Sequence, residues 1–281
     1  MIGWVKKAAY GGAVVAAGLA GYMLYESQWL RYREEDLAVP GLPAGLSGLR
    51  ILHLSDIHAG TPSLNMRTLA KAVRVSEGRG YDVAVVSGDI TDGGPAAQKC
   101  LEALSVLRPR LGVFMVPGNH EYGLSKNPLV RANGFFLDGL PGYLRDETVR
   151  LTAPSGTDFL LSGADYVTRG FGLLQSRQAN GDDADLFSIL LTHRPPAPAD
   201  PLLDVFPLVF AGHTHGGQIR LPTPFGLVAL HRRSLPCTEG VHRLGKSTVV
   251  ISRGIGTTFV PFRLLTRPEA IVFTLVPGEP R

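Results

Sequence analysis

Five of the eight histidines in this chain stand in short polar motifs, each beside an Asp, Asn, Gly or second His. The motifs are Asp56-Ile57-His58, Gly88-Asp89 with Asp92-Gly93, Gly118-Asn119-His120-Glu121, Thr192-His193, and Gly212-His213-Thr214-His215-Gly216-Gly217. Together they offer carboxylates, imidazoles and one amide oxygen, with no thiolate. Such hard and borderline donors suit Mn²⁺, Fe²⁺ or Zn²⁺. The donors outnumber what one first-row ion in a hydrolytic site needs, so the set is sized for two divalent ions, with one Asp able to bridge them. Two such ions lower the pKa of a shared water enough to supply hydroxide near neutral pH. A single Asp-x-His or Gly-Asn-His is ordinarily a capped turn, but five motifs of this kind at successive strand ends are not explained that way.

The elements that must position them are legible as hydrophobic patterns. Leu49 to Ser55, Tyr81 to Ser87 and Leu111 to Val116 are short apolar runs ending in polar, Gly-containing turns, and helical patterns fill Met66 to Glu77 and Pro95 to Leu107. This β-α-β-α-β spacing predicts a sheet with crossover helices, its functional residues collected at the carboxyl ends of the strands. After about residue 147 the predicted strands are Thr148 to Thr152, Phe159 to Ser162, Leu186 to Thr192, Leu208 to Phe210, Thr248 to Ser252 and Ala270 to Leu275. No repeat or abrupt boundary separates the halves. One layered α/β domain is expected, with two sheets face to face and helices outside. Gly88, Gly118 and Gly212 each precede a candidate ligand and are expected to supply the tight turn that aims it inward.

Composition agrees with a folded, loop-rich globular protein: 44% hydrophobic, 19% charged, with 34 Gly and 21 Pro in 281 residues. The net charge of +4 is modest, and no stretch interleaves Lys/Arg runs with aromatics, so nucleic acid is not expected as a partner. A phosphorylated substrate or an anionic membrane surface fits a weakly basic chain. Cys100 and Cys237 belong to no CxxC or Cys/His cluster and read as free thiols. His53 falls inside a predicted buried strand, while His231 and His242 stand alone, and none is assigned to metal.

The first residues read differently. Ala8 to Tyr25 is an uncharged run of 18 residues after Lys6 and Lys7, just long enough to span a bilayer. A cleavable signal peptide is the rival, since Gly18 and Ala20 make a small-x-small pattern. The uncleaved anchor is expected because apolar character continues through Leu24. Lys6 and Lys7 are matched by Arg31 and Arg33 on the other flank, which leaves the orientation in a cytoplasmic membrane open. Residues 1–27 are thus expected to form the anchor or signal segment. Residues 28–48, with Pro40, Pro43 and several glycines, should be a linker, and 49–279 the catalytic domain.

In order along the chain, DxH, GDxx(D), GNHE, H and GHTH resemble the calcineurin-like metallophosphoesterases, over roughly Leu49 to Pro277. The longer GHTHGGQ run (Gly212 to Gln218), Ser252-Arg253-Gly254-Ile255-Gly256-Thr257, Arg263 and Pro268-Glu269 resemble the membrane-linked bacterial YkuE/YaeI group. The resemblance implies a four-layer αββα sandwich of two mixed sheets flanked by helices. It implies that Asp56, His58 and His215 hold one metal, that Asn119, His193 and His213 hold the other, and that Asp89 bridges them. Mn²⁺ is the favoured ion. The activity implied is hydrolysis of a phosphoester or pyrophosphate by metal-activated hydroxide, with His120 stabilising the transition state or protonating the leaving group. Glu121 is expected to orient neighbours.

Gly216 and Gly217 would let the backbone approach a phosphate. Some members of that group cleave UDP-2,3-diacylglucosamine, a lipid-linked nucleotide. A general phosphodiesterase outside the cytoplasmic membrane is the alternative, and a non-catalytic scaffold is disfavoured because no ligand is missing. Asp92 stands where the related purple acid phosphatases place a tyrosine ligand, which argues against an iron-tyrosinate centre. It is expected to accept from loop amides instead. Arg220, Arg232 and Arg233 either bind a second anionic group or form a solvated basic face.

Overall fold

The computed structural model describes residues 2–93, 95–125, 137–174, 183, 185–224, 226–230 and 237–279. Strands β1 (Arg31–Pro40), β2 (Arg50–Leu54), β3 (Val83–Val86) and β4 (Gly112–Met115) lie in one sheet. Strands β5 (Glu147–Thr152), β6 (Asp158–Gly163), β7 (Ser188–Leu191) and β8 (Leu208–Ala211) lie in a second. A small hairpin, β9 (Arg220–Thr223) with β10 (Gly226–Ala229), stands apart. Strands β11 (Gly240–Leu244) and β12 (Ser247–Ile251) then complete the second sheet, and β13 (Glu269–Gly278) returns to the first. The orders are β1-β13-β2-β3-β4 and β11-β12-β8-β7-β6-β5. Both sheets are mixed: β2, β3 and β4 run parallel, as do β6, β7, β8 and β12, while β13 is antiparallel to β2.

Period-two alternation divides each strand between two environments. Ile51, Val83, Val85, Phe114, Ile271 and Phe273 of the first sheet meet Phe159, Leu161, Ile189, Leu191, Phe210 and Val250 of the second in one interior core. Their sequence neighbours Leu52, Leu54, Ala84, Val86 and Val272 face outward into a second cluster. There they are covered by helices α2 (Asn65–Ser76) and α3 (Pro95–Leu104). Helix α2 buries Thr68, Leu69, Ala72, Val73 and Ser76, a stripe at the spacing of one helix face. On the far side, Leu190, Val209, Val249 and Ile251 lie under Leu173, Phe206 and the short helix α4 (Leu202–Val205). This is the layered sandwich expected, and the predicted strand and helix positions hold to within a few residues. The carboxyl ends of β2, β3 and β4 and of β7, β8 and β12 carry the loops that hold all five motifs.

One expectation for the amino-terminal region is corrected. Residues 28–48 are not a linker. Arg31–Pro40 pairs in parallel along its whole length with β13, from Arg31 opposite Glu269 to Pro40 opposite Gly278. Arg33 also donates to Glu269 across the pair at 3.1 Å. The strand reads poorly from sequence because it is an edge: only Leu37 and Val39 are buried, and the other positions alternate polar groups toward solvent.

Residues Ile2–Glu26 form helix α1, yet among the described residues no helix is long and apolar enough to cross a membrane. The last turn of α1 is part of the catalytic domain. Glu26, 1% exposed, accepts from Thr266 N at 2.7 Å, Met23 O accepts from Arg263 N at 3.1 Å, and Arg267 lies 3.9 Å over the Trp29 ring.

Candidate metal centre

Backbone hydrogen bonds lace the motif loops together before any side chain is considered. Asp56 N donates to Gly88 O at 3.0 Å, His58 N to Asp89 O at 2.9 Å, Gly212 N to His193 O at 3.0 Å and Gly256 N to Asp56 O at 2.7 Å. Within this lattice Asp56, His58, Asp89, His213 and His215 all hold φ between 48° and 70°. That left-handed region costs a side-chain-bearing residue on the order of 1 kcal/mol and persists only where surroundings over-determine it. Here it turns the side chains at the strand ends toward one another.

Glycines allow the loops to close. Gly88 has φ 83°, and a Cβ there would lie 2.6 Å from the His193 ring nitrogen. At Gly118 and Gly212 the reason is different from the turn expected. Neither needs a left-handed backbone, but a Cβ would press on Asp89 N at 2.5 Å in one case and on the Asp56 carboxylate at 2.5 Å in the other.

The side chains gather in two clusters. His215 Nε2 lies 3.1 Å from His58 Nε2 and 3.4 Å from Asp56 Oδ1. His193 Nε2 lies 3.0 Å from His213 Nδ1, 3.3 Å from Asn119 Oδ1 and 3.3 Å from Asp89 Oδ2. Asp89 Oδ2 is also 3.5 Å from His58 Nε2, which puts one carboxylate oxygen between the clusters. All seven residues expected as ligands are therefore brought together, and all but Asn119 are buried.

The outer ring nitrogens show what the inner ones are for. His193 Nδ1 donates to Ser87 O at 2.8 Å and His215 Nδ1 to Gly256 O at 3.3 Å, which leaves both Nε2 lone pairs facing the centre. Lone pairs and carboxylate oxygens converging at about 3 Å, shielded from water, repel one another unless a cation lies among them. The donor set fits two divalent ions.

Surrounding groups fix this set in place. Asp56 accepts from His213 N at 3.0 Å and from Ser55 Oγ at 2.5 Å, and Asp89 Oδ1 accepts from His120 N at 2.9 Å. Glu121 orients, as expected: its carboxylate takes the amides of Ile90, Thr91 and Gly118 at 2.7, 2.9 and 2.7 Å. Asp92 differs from expectation. It accepts from the side chains of His120 (Nδ1) and Thr61 rather than from loop amides, because the turn points it inward at the imidazole.

Arg220 is corrected too. It is paired with Glu239 at 2.7 Å and donates to Gly216 O at 2.6 Å, so it braces the GHTHGG loop and is not a free anion site. Arg232, Arg233 and His231 lie outside the described residues. His53, buried against Phe210, bonds Ser87 Oγ at 2.9 Å, and His242 donates to Glu239 O at 2.6 Å.

Charges respond to this crowding. Burial pushes the Asp56 carboxyl up. Burial also opposes ionisation of Asp89, but the imidazoles of His193, His120 and His58 outweigh it and hold the carboxyl well below its usual range. For His193 and His120, burial lowers the pKa, yet the Asp89 carboxylate and further acceptors raise both to about 9. In metal-free protein the folded state therefore keeps protons that the unfolded chain releases near 6.5. Stability from these histidines is fully present below that pH and is lost as pH rises through about 9. Chelated protein should show a falling melting temperature over this window, and divalent metal, which replaces the protons, should flatten the profile. A flat profile without metal would contradict the coupling.

The clusters open into a cleft of about 490 Å³, whose walls include Asp89, Asn119, His120, His213 and His215. It also takes in Gln218, from the GHTHGGQ run, together with Tyr166, Arg194 and Thr258, which the sequence reading did not find. Gln218 clamps the opposite rim, donating to Thr258 O at 2.8 Å and accepting from Thr258 N at 3.0 Å. Arg263, 0% exposed, donates to the carbonyls of Arg253, Gly254 and Gly256 at 2.8, 3.3 and 2.6 Å, tying down the loop after β12.

Residues 49–217 match the family described as Calcineurin-like phosphoesterase. The chain belongs to this family. A calcineurin-like relative, the uncharacterized metallophosphoesterase YkuE of Bacillus subtilis (strain 168), is 30% identical over 274 residues, covering 94% of this chain and 92% of YkuE. A transmembrane protein with metallophosphoesterase domain from Danio rerio is 30% identical over 91% of this chain and 60% of its own length. Among solved structures, a dimetal phosphatase from Danio rerio aligns over 74% of this chain and 88% of its own, with 13% identity and a TM-score of 0.42. As a calcineurin-like phosphoesterase of the YkuE-like group, the protein is a metal-dependent phosphoesterase with a dinuclear divalent metal site.

Proposed function

We propose that the protein hydrolyses a phosphodiester or pyrophosphate, with Asp56, His58 and His215 holding one ion and Asn119, His193 and His213 the other. Asp89 serves both. The observation that carries this reading is the single Asp89 oxygen set 3.3 Å from His193 and 3.5 Å from His58, one residue from each cluster. When bound, the pair of ions supplies Lewis acidity at the phosphoryl oxygens and an activated water.

The chain's own residues do the rest. Ser87 and Gly256 carbonyls fix the imidazole tautomers, and Glu121 holds the two loops at constant separation. His120 donates through Nδ1 to Asp92, which leaves Nε2 to give a proton to the departing oxygen. Mn²⁺ is the favoured ion for this carboxylate, imidazole and amide set. UDP-2,3-diacylglucosamine is the pyrophosphate that the YkuE/YaeI resemblance suggests.

Chelated protein should be inactive on bis(p-nitrophenyl) phosphate and regain activity as Mn²⁺ binds to about two equivalents per chain. Turnover that survives exhaustive chelation would overturn the reading.

Location at a membrane is favoured by the exposed apolar residues Val14, Val15 and Leu19 of α1, beside Tyr10, which nothing among the described residues covers. It accords with the name of the Danio rerio relative. Co-sedimentation of the full chain with phosphatidylglycerol vesicles checks this, and protein left wholly in the supernatant would refute it.

A further inference from the structure

Tyr166 and Arg194 belong to the walls of two cavities. One is the metal cleft. The other is a pocket of about 370 Å³ whose walls include Pro195, Pro196, Pro198, Leu202, Leu244 and Ile251. Neither residue holds metal or braces a motif loop. Arg194 directly follows the cluster residue His193, so the strand end that fixes the imidazole also fixes the start of this side chain. The residue is exposed, and among the described residues its guanidinium makes no hydrogen bond or ion pair.

The carboxylate nearest in role, Asp165, is already engaged by Tyr122 and by Arg145 at 3.0 Å. The Tyr166 ring lies 5.8 Å from His193 and 6.1 Å from His213, and its hydroxyl has no hydrogen-bond partner among the described residues. An uncommitted guanidinium and phenol beside a metal cluster are suited to phosphoryl oxygens.

The second pocket has another chemistry. Its walls are mainly apolar and contain three prolines, whose fixed φ makes them stiff. A phosphomonoester would use the metal cleft and leave this pocket without a role. A diester brings a second arm, and rigid apolar walls of this size suit a flat ring.

We propose that this pocket is the subsite for the ring-bearing arm of a phosphodiester, with Arg194 and Tyr166 holding phosphoryl oxygens at the neck between the cavities. The proposal rests on the metal-dependent phosphoesterase reading and narrows its substrate class. The reaction remains hydrolysis: a P–O bond to water forms, one P–O ester bond breaks, and the departing oxygen takes up a proton.

Cys237 makes the test direct, because it lies in the wall of this pocket and is half-buried, whereas Cys100 is 0% exposed. N-ethylmaleimide on Cys237 should fill the subsite. It should lower kcat/KM for bis(p-nitrophenyl) phosphate roughly tenfold or more, as expected for losing burial of an aryl ring. Hydrolysis of p-nitrophenyl phosphate should change less than about twofold, well under the tenfold step. In Cys237→Ser the reagent should alter neither rate. In chelated protein, bis(p-nitrophenyl) phosphate should slow the labelling of Cys237 and p-nitrophenyl phosphate should not. Arg194→Gln should raise KM for both esters by roughly tenfold.

Equal loss of both activities on labelling, no loss of either, or labelling indifferent to the diester would overturn the subsite. Failure of the unlabelled protein to hydrolyse either ester would instead count against the phosphoesterase reading, since diester protection of Cys237 needs no turnover.

Discussion

Asp89→Ala is expected to lower kcat/KM by on the order of a thousandfold or more, because loss of metal ions removes several kcal/mol of transition-state stabilisation. The reason is positional. One Asp89 oxygen faces both clusters, and the other accepts the His120 amide at 2.9 Å, so the substitution disturbs both ion sites and the loop between them. Metal analysis should show fewer than two ions retained. Without the carboxylate the His120 amide and the imidazoles of His193 and His120 lose a buried partner, so the metal-free fold should melt lower as well, and a melting curve in chelator separates lost metal from lost structure. A variant that keeps both ions and full activity would remove Asp89 from the centre of the mechanism.

His120→Ala should act on one step rather than on the whole site. General acid catalysis contributes typically about 10² to 10⁴ in rate, so a fall in kcat of that order is expected with both ions still bound. The loss should shrink for p-nitrophenyl esters, whose leaving group needs little protonation, and grow for alkyl esters. Although burial opposes its charge, Asp89 and Asp92 raise His120 to about 9 in metal-free protein, and Asp92, which accepts from Nδ1, supports the protonated imidazole directly. Loss of this acid form at high pH predicts a declining alkaline limb in kcat. Asp92→Asn, which removes one supporting carboxylate, should move that limb to lower pH. If the two His120 and Asp89 variants showed the same residual rate and the same metal content, distinct roles could not be maintained.

Much of this was readable beforehand because the candidate ligands are local features. A short apolar strand followed by Gly-Asp or Gly-Asn-His announces both the element and the residue at its end, and the loops after β2, β3, β4, β7 and β8 carry the expected groups. Asp92 and Arg220 were harder to read, since what a charged side chain meets depends on a partner far along the chain. Glu239 claims Arg220 from 19 positions away, and the imidazole of His120 meets Asp92 from 28. Tyr166 carried no signal at all: a lone tyrosine in an irregular stretch becomes part of the site only when the second sheet packs against the first.

The identities and order of the candidate metal-binding side chains, the two-sheet alternation and the family were determined by the sequence itself, because each motif and each strand is written in residues within a few positions of one another. What only the tertiary structure decided are pairings and walls. Arg31–Pro40 became a strand by meeting Glu269–Gly278, more than two hundred residues later, and a polar edge strand has no apolar run to reveal it. The junction of Tyr166 and Arg194 between two cavities likewise exists only where separate loops converge, since a cavity is bounded by the packing of all of them and encoded by none alone.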